Sequence, residues 1–180
     1  MDTIRKDLKS YNKEISKGLT GETGLATWSD LDEITTLESL CFPKEEAASR
    51  DSFSWRLKTY PTHFFVLRIK GRIISFINGP VTKEPDLMDE MYDSPVFHDE
   101  KGEWQMIFGV VTHPDFQKKG YASRLLECFI DTARKQRKKG VVLTCKEAKI
   151  PFYHKFGFED EGLSVSTHGG VPWHQMRLTF

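Results

Sequence analysis

Residues 109–129 read GVVTHPDFQKKGYASRLLECF, and their types and spacing suit the binding of an anion. An apolar run ends at Thr112-His113-Pro114. The chain then turns through Gln117, Lys118, Lys119, Gly120, Tyr121 and Ala122 into a helix. Such a strand-to-helix turn presents backbone N–H groups at the positive end of a helix, where a pyrophosphate can sit. Gly120 lets the backbone approach the ligand, Ala122 keeps the first turn narrow, and Lys118 and Lys119 add positive charge. On spacing alone, the same residues also suit an ordinary connector. Cys145 lacks an evident neighbouring base, so it reads as a small packing residue rather than a nucleophile. His113 caps the strand exit, and His168, beside a glycine pair, reads as exposed. No histidine or carboxylate spacing suggests a metal site.

The elements that must position this turn follow from periodicity. Ala122, Leu125, Leu126, Phe129, Ile130 and Ala133 form one apolar helical face, with basic residues from Arg134 to Lys139 at its end and Gly140 closing it. Residues 104–112 read as one buried strand before it, and Val141 to Thr144 as a short strand after it. Capping spacing places a helix start at Ser29 or Asp30, and Pro43 suits the first position of a second helix reaching Tyr60. Residues 64–70 and 72–78 form two strands joined at Lys70-Gly71. Residues 80–103 are a long acidic connection. A short helix spans about 147–156, and two last strands, near 162–168 and 171–179, flank Gly169-Gly170. The order αα, ββ, β, α, β, α, ββ predicts an α/β (α+β) fold with a mixed, mostly antiparallel central sheet flanked by helices. Residues 1–20 read as a loosely attached extension, and residues 21–180 as one domain.

Composition narrows the function classes. The chain has 180 residues, 26 Lys plus Arg against 26 Asp plus Glu, and a net charge of zero. That balance argues against bulk electrostatic binding to nucleic acid or membrane. The basic run 134–139 lacks interleaved aromatics and sits where a helix end favours cations. Three dispersed cysteines read as reduced thiols in a cytoplasmic protein. The N-terminus lacks an apolar signal region, and the longest apolar run is too short to span a bilayer.

The turn Gln117 to Ala122 resembles motif A of the GNAT acetyltransferase superfamily, a Gln/Arg-x-x-Gly-x-Gly/Ala signature after a strand. The run Cys145-Lys146-Glu147-Ala148-Lys149-Ile150-Pro151-Phe152-Tyr153-His154-Lys155-Phe156-Gly157-Phe158 resembles the next helix of the arylalkylamine N-acetyltransferase branch. Residues 41–48 look like that branch's acceptor-site loop. The resemblance covers about residues 24–180.

It implies a GNAT fold that binds acetyl-coenzyme A in a V-shaped split and transfers acetyl to a primary amine by direct attack, without a metal. Backbone amides of Gln117, Lys118, Lys119, Gly120, Tyr121 and Ala122 would hold the pyrophosphate. Val110, Val111 and Thr112 would supply the strand that pairs with the pantetheine arm, with the Val110 amide polarising the thioester carbonyl. Tyr153 matches the family's general acid, and a phenol remains protonated at neutral pH; its alternative is packing with Phe152 and Phe156. The branch's two strand histidines fall on Met106 and Phe108, neither of which takes a proton. Strand alternation puts His174 on the face of Met176 and Leu178, which makes it a substitute base or a satisfied core residue; a water chain is the other route. Phe42, Pro43 and Trp173 would border an acceptor pocket, and the acidic connection would draw a cationic arylalkylamine or polyamine. A peptide α-amine acceptor and a non-catalytic acyl-coenzyme A-binding module are the alternatives. Pairing of sheet edges into a homodimer is compatible with the sequence.

Overall fold

The computed structural model describes residues 2–14 and 21–180. Two sheets meet along residues 104–112, which supply one strand to each. The first has the order β1-β2-β3-β6, formed by Glu22–Leu25, Phe64–Ile69, Arg72–Asn78 and Gly109–Thr112. The second has the order β4-β5-β7-β9-β8, formed by Val81–Thr82, Trp104–Ile107, Gly140–Cys145, His174–Thr179 and Glu159–Leu163. Among the described residues only β5 and β7 pair in parallel; the other ladders are antiparallel. This is the mixed, mostly antiparallel architecture that the element order predicts.

Residues 104–112 therefore do not form one strand. They divide at Phe108, which lies in neither β5 nor β6. The Phe108 N–H donates to Asn78 O at 2.8 Å while Gly109 also pairs with Asn78, so two residues oppose one in a β-bulge. Upstream of it β5 joins β7; downstream β6 joins β3 and diverges. Gln105, 1% exposed, secures the division. Its amide nitrogen lies 2.9 Å from both Gly79 O and Met106 O and 3.1 Å from Pro80 O. At Gly79 a Cβ would lie 2.0 Å from Met106 O, so the close approach of these segments requires glycine.

Both faces of the first sheet are covered, which explains the near-continuous apolar runs in β2 and β3. Phe65, Leu67 and Ile77 pack with Leu125, Leu126 and Phe129 of helix α5 (Tyr121–Lys135). Phe64, Val66 and Phe76 pack on the other side with Ile34 and Phe53 from helices α2 (Leu31–Cys41) and α3 (Arg50–Thr59). The acidic connection carries its own apolar residues inward. Leu87 and Met91, on and near helix α4 (Glu90–Asp93), cover Met106 and Val142. Glu100 fastens its far end, with His63 Nε2 3.0 Å from the carboxylate, and these contacts hold the Glu100 carboxyl far below the ordinary range.

Several boundaries move from their sequence positions. The second helix begins at Arg50 rather than Pro43, because Ser49 caps it by accepting the Ser52 N–H at 3.0 Å. Helix α2 does start where the spacing puts it, with Asp30 as its N-cap residue, and a turn capped by Thr27, whose N–H donates to Asp30 Oδ2 at 2.7 Å, leads into it. Helix α5 ends at Lys135, and Arg137 turns left-handed there; Gly140 instead begins β7, where a Cβ would lie 2.1 Å from Leu178 O. Strand β8 lies earlier than expected, because the chain spends residues 164–173 on a loop whose 168–170 turn contains two left-handed glycines. Residues 2–14 form helix α1, which docks rather than trailing: Leu8 enters the core, and Asn12 accepts from Arg124 at 2.8 Å. Met1 and residues 15–20 of that extension lie outside the described residues.

Replacing Gln105 with Leu keeps a side chain of similar bulk and strips its donors from the buried carbonyls. We expect a loss of roughly 2–3 kcal/mol, read as a lower urea midpoint at unchanged slope.

Candidate active site

The bulge determines which backbone groups face the split between β6 and β7. The His113 N–H donates to Ile74 O at 2.8 Å. Antiparallel ladders alternate, so Gly109 and Val111 turn toward β3 while Val110 and Thr112 turn their N–H and C=O groups to the other edge. Strand β6 is terminal in its sheet, so that edge bears no paired strand among the described residues. Thr112 O is engaged there by Cys41 Sγ at 3.4 Å and Gln117 Nε2 at 3.1 Å.

The edge leads into the turn Gln117 to Ala122. Lys118 is left-handed at φ 58°, and Gly120, the N-cap of α5, is left-handed at φ 86°. Alternation of hand along a short turn draws successive amides toward one point, the geometry of an anion nest. Lys119 is directed elsewhere: its Nζ donates to Asp115 O at 2.7 Å. Tyr121 is buried behind the turn, and Ala122 lies in the first helical turn.

Tyr153 is on helix α6 (Ile150–His154), just after β7. It is 9% exposed and edge-on to Phe152 and Phe158 at centroid distances of 5.1 and 5.8 Å. Burial pushes its phenol well above the ordinary tyrosine range, with Cys145 and Tyr92 acting in the same direction, so it keeps its proton. Burial likewise raises the Cys145 thiol, to about 11, which keeps it protonated at neutral pH.

His174 stands opposite Cys145 in the ladder, with Nδ1 3.1 Å from Asp160. Alternation places it on the face of Cys145 and Met176 that packs toward α5 and α6. The neighbours Thr144 and Gln175 face the opposite side, where a second group of side chains gathers.

That group includes residues whose sequence context gave no signal. Tyr92 lies 4.5 Å from the Phe108 ring by centroids, and its hydroxyl is 3.3 Å from Thr144 Oγ1. His168 is half-buried rather than exposed: its ring stacks on Tyr92 at 5.2 Å, and Nε2 lies 3.1 Å from Glu46 O. Trp173 donates from Nε1 to His168 O at 2.8 Å, and Lys146 lies over its ring while pairing with Glu46 at 2.7 Å. Arg56, 4% exposed, holds its guanidinium 4.9 Å from the Phe108 ring centre and donates to Tyr92 O at 3.3 Å. Phe42 packs against the α2–α3 core, whereas Pro43 is exposed and its carbonyl accepts from Glu46 and Ala47.

Glu38 completes this side. It is 7% exposed on α2, its Oε1 accepts the Ala48 N–H at 3.1 Å, and its Oε2 has no hydrogen-bond partner among the described residues. Burial raises its carboxyl to about 7, opposed by the Ala48 hydrogen bond and by the charges of Arg56 and His168.

The Acetyltransferase (GNAT) family profile matches residues 30–158. The chain belongs to the GNAT acetyltransferase family. It is 28% identical over 111 residues to the serotonin N-acetyltransferase of Mesocricetus auratus, a match covering 61% of this chain and 52% of that protein. The match thus spans about half of that relative's length. The fold resembles the loading GNATL domain of CurA from Lyngbya majuscula, with TM-score 0.78 at 17% identity over 89% of this chain and 98% of that one. It also resembles the GphF GNAT-like decarboxylase in complex with isobutyryl-CoA, with TM-score 0.77 at 20% identity over 88% and 98%. At such identities the structural likeness concerns the fold alone.

The Glu38 carboxyl has a thermodynamic consequence. Its folded value near 7 exceeds the ordinary 4.5, so the folded state binds the proton more tightly and stability falls as pH rises between those values. Glu38→Gln should remove this slope. We expect the variant to match the wild type near pH 5 and to exceed it by up to a few kcal/mol at pH 8, measured by urea unfolding at both pH values.

Proposed function

We propose that this protein transfers an acetyl group from acetyl-coenzyme A to the nitrogen of a primary amine. The observation that carries this reading is the β6 edge, turned outward at Val110 and Thr112 and continuous with the left-handed turn at Gly120. An extended pantetheine arm can pair with such an edge as an added strand would, and a pyrophosphate suits the turn. The family match and a neighbouring fold named for its isobutyryl-CoA complex support the same ligand class.

The chain's own groups then have distinct tasks. The outward Val110 amide polarises the thioester carbonyl as charge develops on its oxygen. Tyr153, kept protonated by burial, supplies a proton to the departing sulfur. The side bounded by Tyr92, Phe108, His168 and Trp173 receives the amine. Its aromatic surfaces, with the buried carboxylates of Glu38 and Glu46, favour a small arylalkylamine or polyamine. The similarity to a serotonin N-acetyltransferase supports that class.

Thiol release from acetyl-coenzyme A over a panel of arylalkylamines, polyamines and short peptides tests the reading. Release with the first two classes is expected; coenzyme binding without release for any amine would overturn it. Two variants separate the steps. Gly120→Val should raise the acetyl-coenzyme A dissociation constant at least about tenfold, since a branched residue neither tolerates the left-handed backbone nor leaves room for a phosphate. Tyr153→Phe should lower kcat by about 100-fold with that constant nearly unchanged.

A further inference from the structure

The proposed reaction needs a proton acceptor for the amine. The segment 104–112 beside the split, WQMIFGVVT, offers no ionisable side chain, Met106 and Phe108 included. Met106 is fully buried among apolar side chains, and Phe108 lies under the Arg56 guanidinium. Neither accepts a proton, but Glu38, whose neighbours Cys41 and Arg56 touch Thr112 and Phe108, can do so. One turn beyond Glu38 on α2, Cys41 reaches Thr112 O on the outward edge of β6. Toward the bulge, Arg56 lies close enough to Glu38 to act on its charge and also covers Phe108. Glu38 thus borders the acceptor side of the split between the β6 edge and the bulge residue.

We propose that Glu38 is the general base of this acyl transfer, its unpartnered Oε2 taking a proton from the acceptor ammonium. This rests on the transferase reading above. Three features favour it over the other titratable groups. Oε2 is buried without a hydrogen-bond partner among the described residues, so its accepting capacity is unspent. The groups acting on it are Arg56 from α3, His168 from the 168–170 turn and Cys41 from its own helix. The carboxyl value near 7 means that it is ionised in part at neutral pH and binds a proton readily. His174, by contrast, is engaged by Asp160 on the opposite face of its strand.

The proton balance is complete. Glu38 takes one proton from R–NH3+. The nitrogen lone pair forms the C–N bond to the thioester carbon, and the C–S bond breaks as the carbonyl re-forms. Tyr153 gives its proton to the sulfur, and the second proton lost by nitrogen returns to the phenolate. Glu38 then releases its proton to water. Arg56 favours the step by opposing a second cation beside it.

Two measurements test this. The first is a carbon-13 titration of glutamate carboxyls in the free protein. A resonance titrating near pH 7 and absent from Glu38→Gln is expected; titration of Glu38 below pH 5 would overturn the assignment. The second is kcat/KM for the amine against pH. In the wild type it should rise through a limb near pH 7. Glu38→Gln should lose that limb and fall by about 100-fold with the acetyl-coenzyme A KM unchanged, whereas Glu38→Asp should keep the limb at reduced rate. Glu38→Gln activity within threefold of the wild type, with the limb intact, would overturn the base while leaving the transferase standing. Absence of transfer by the wild type itself, with coenzyme still bound, would overturn the transferase reading and the base role together.

Discussion

Gln105 holds the point at which the central strand divides. Its side-chain amide lies within hydrogen-bond distance of three backbone carbonyls where β3, β4 and β5 converge, in a place too close for any residue but glycine at position 79. A continuous strand from 104 to 112 would pair along its whole length and close the sheet. The bulge at Phe108 instead transfers the chain from one sheet to the other, leaving one edge of β6 turned outward. The backbone proposed to bind an acyl-coenzyme A exists because that division is maintained. The glycine turn at the start of α5 completes the same feature, since it lies at the end of that edge.

Around the division the protein buries several charges, and it does so unevenly. Glu46 has a lysine partner at 2.7 Å, and Asp89 accepts from the Thr167 N–H at 2.8 Å. These contacts tie the 43–48 loop and the acidic connection to β7 and to the 168–170 turn. Arg56 is held by aromatic faces and one carbonyl. Glu38 has one backbone donor only. A buried carboxylate so lightly satisfied costs stability when ionised, because burial disfavours the charged form. Such a cost persists most readily where a reaction uses the group. Tyr153 lies at the other extreme: its proton is retained by burial among aromatic rings. The two groups thus have opposite tendencies, one disposed to accept a proton at neutral pH and the other to keep its own.

The sequence by itself determined what depends on neighbours along the chain. The apolar stripe from Ala122 to Ala133 specifies α5, since residues three and four apart share a helix face. Lys70-Gly71 specifies the β2–β3 turn, and both residues adopt the left-handed backbone there. The run Gln117 to Ala122 carries the turn into α5, and its resemblance to a known motif pointed to the family. Tertiary structure alone decided the rest, because partners distant in sequence set it. The apolar pattern of 104–112 is uniform, and only competition between β3 and β7 for that strand places the bulge. Pro43 is a sound helix start, yet the Ala48 N–H is held by Glu38 and the helix begins after Ser49. His168 looks exposed beside two glycines until Tyr92 and Glu46 close on it. Helical spacing puts Glu38 on the stripe of Leu31, Ile34, Leu37 and Cys41, but spacing does not say what a carboxyl meets there. Its burial, and with it its proton affinity, comes from α3, the 43–48 loop and the 168–170 turn folding over it.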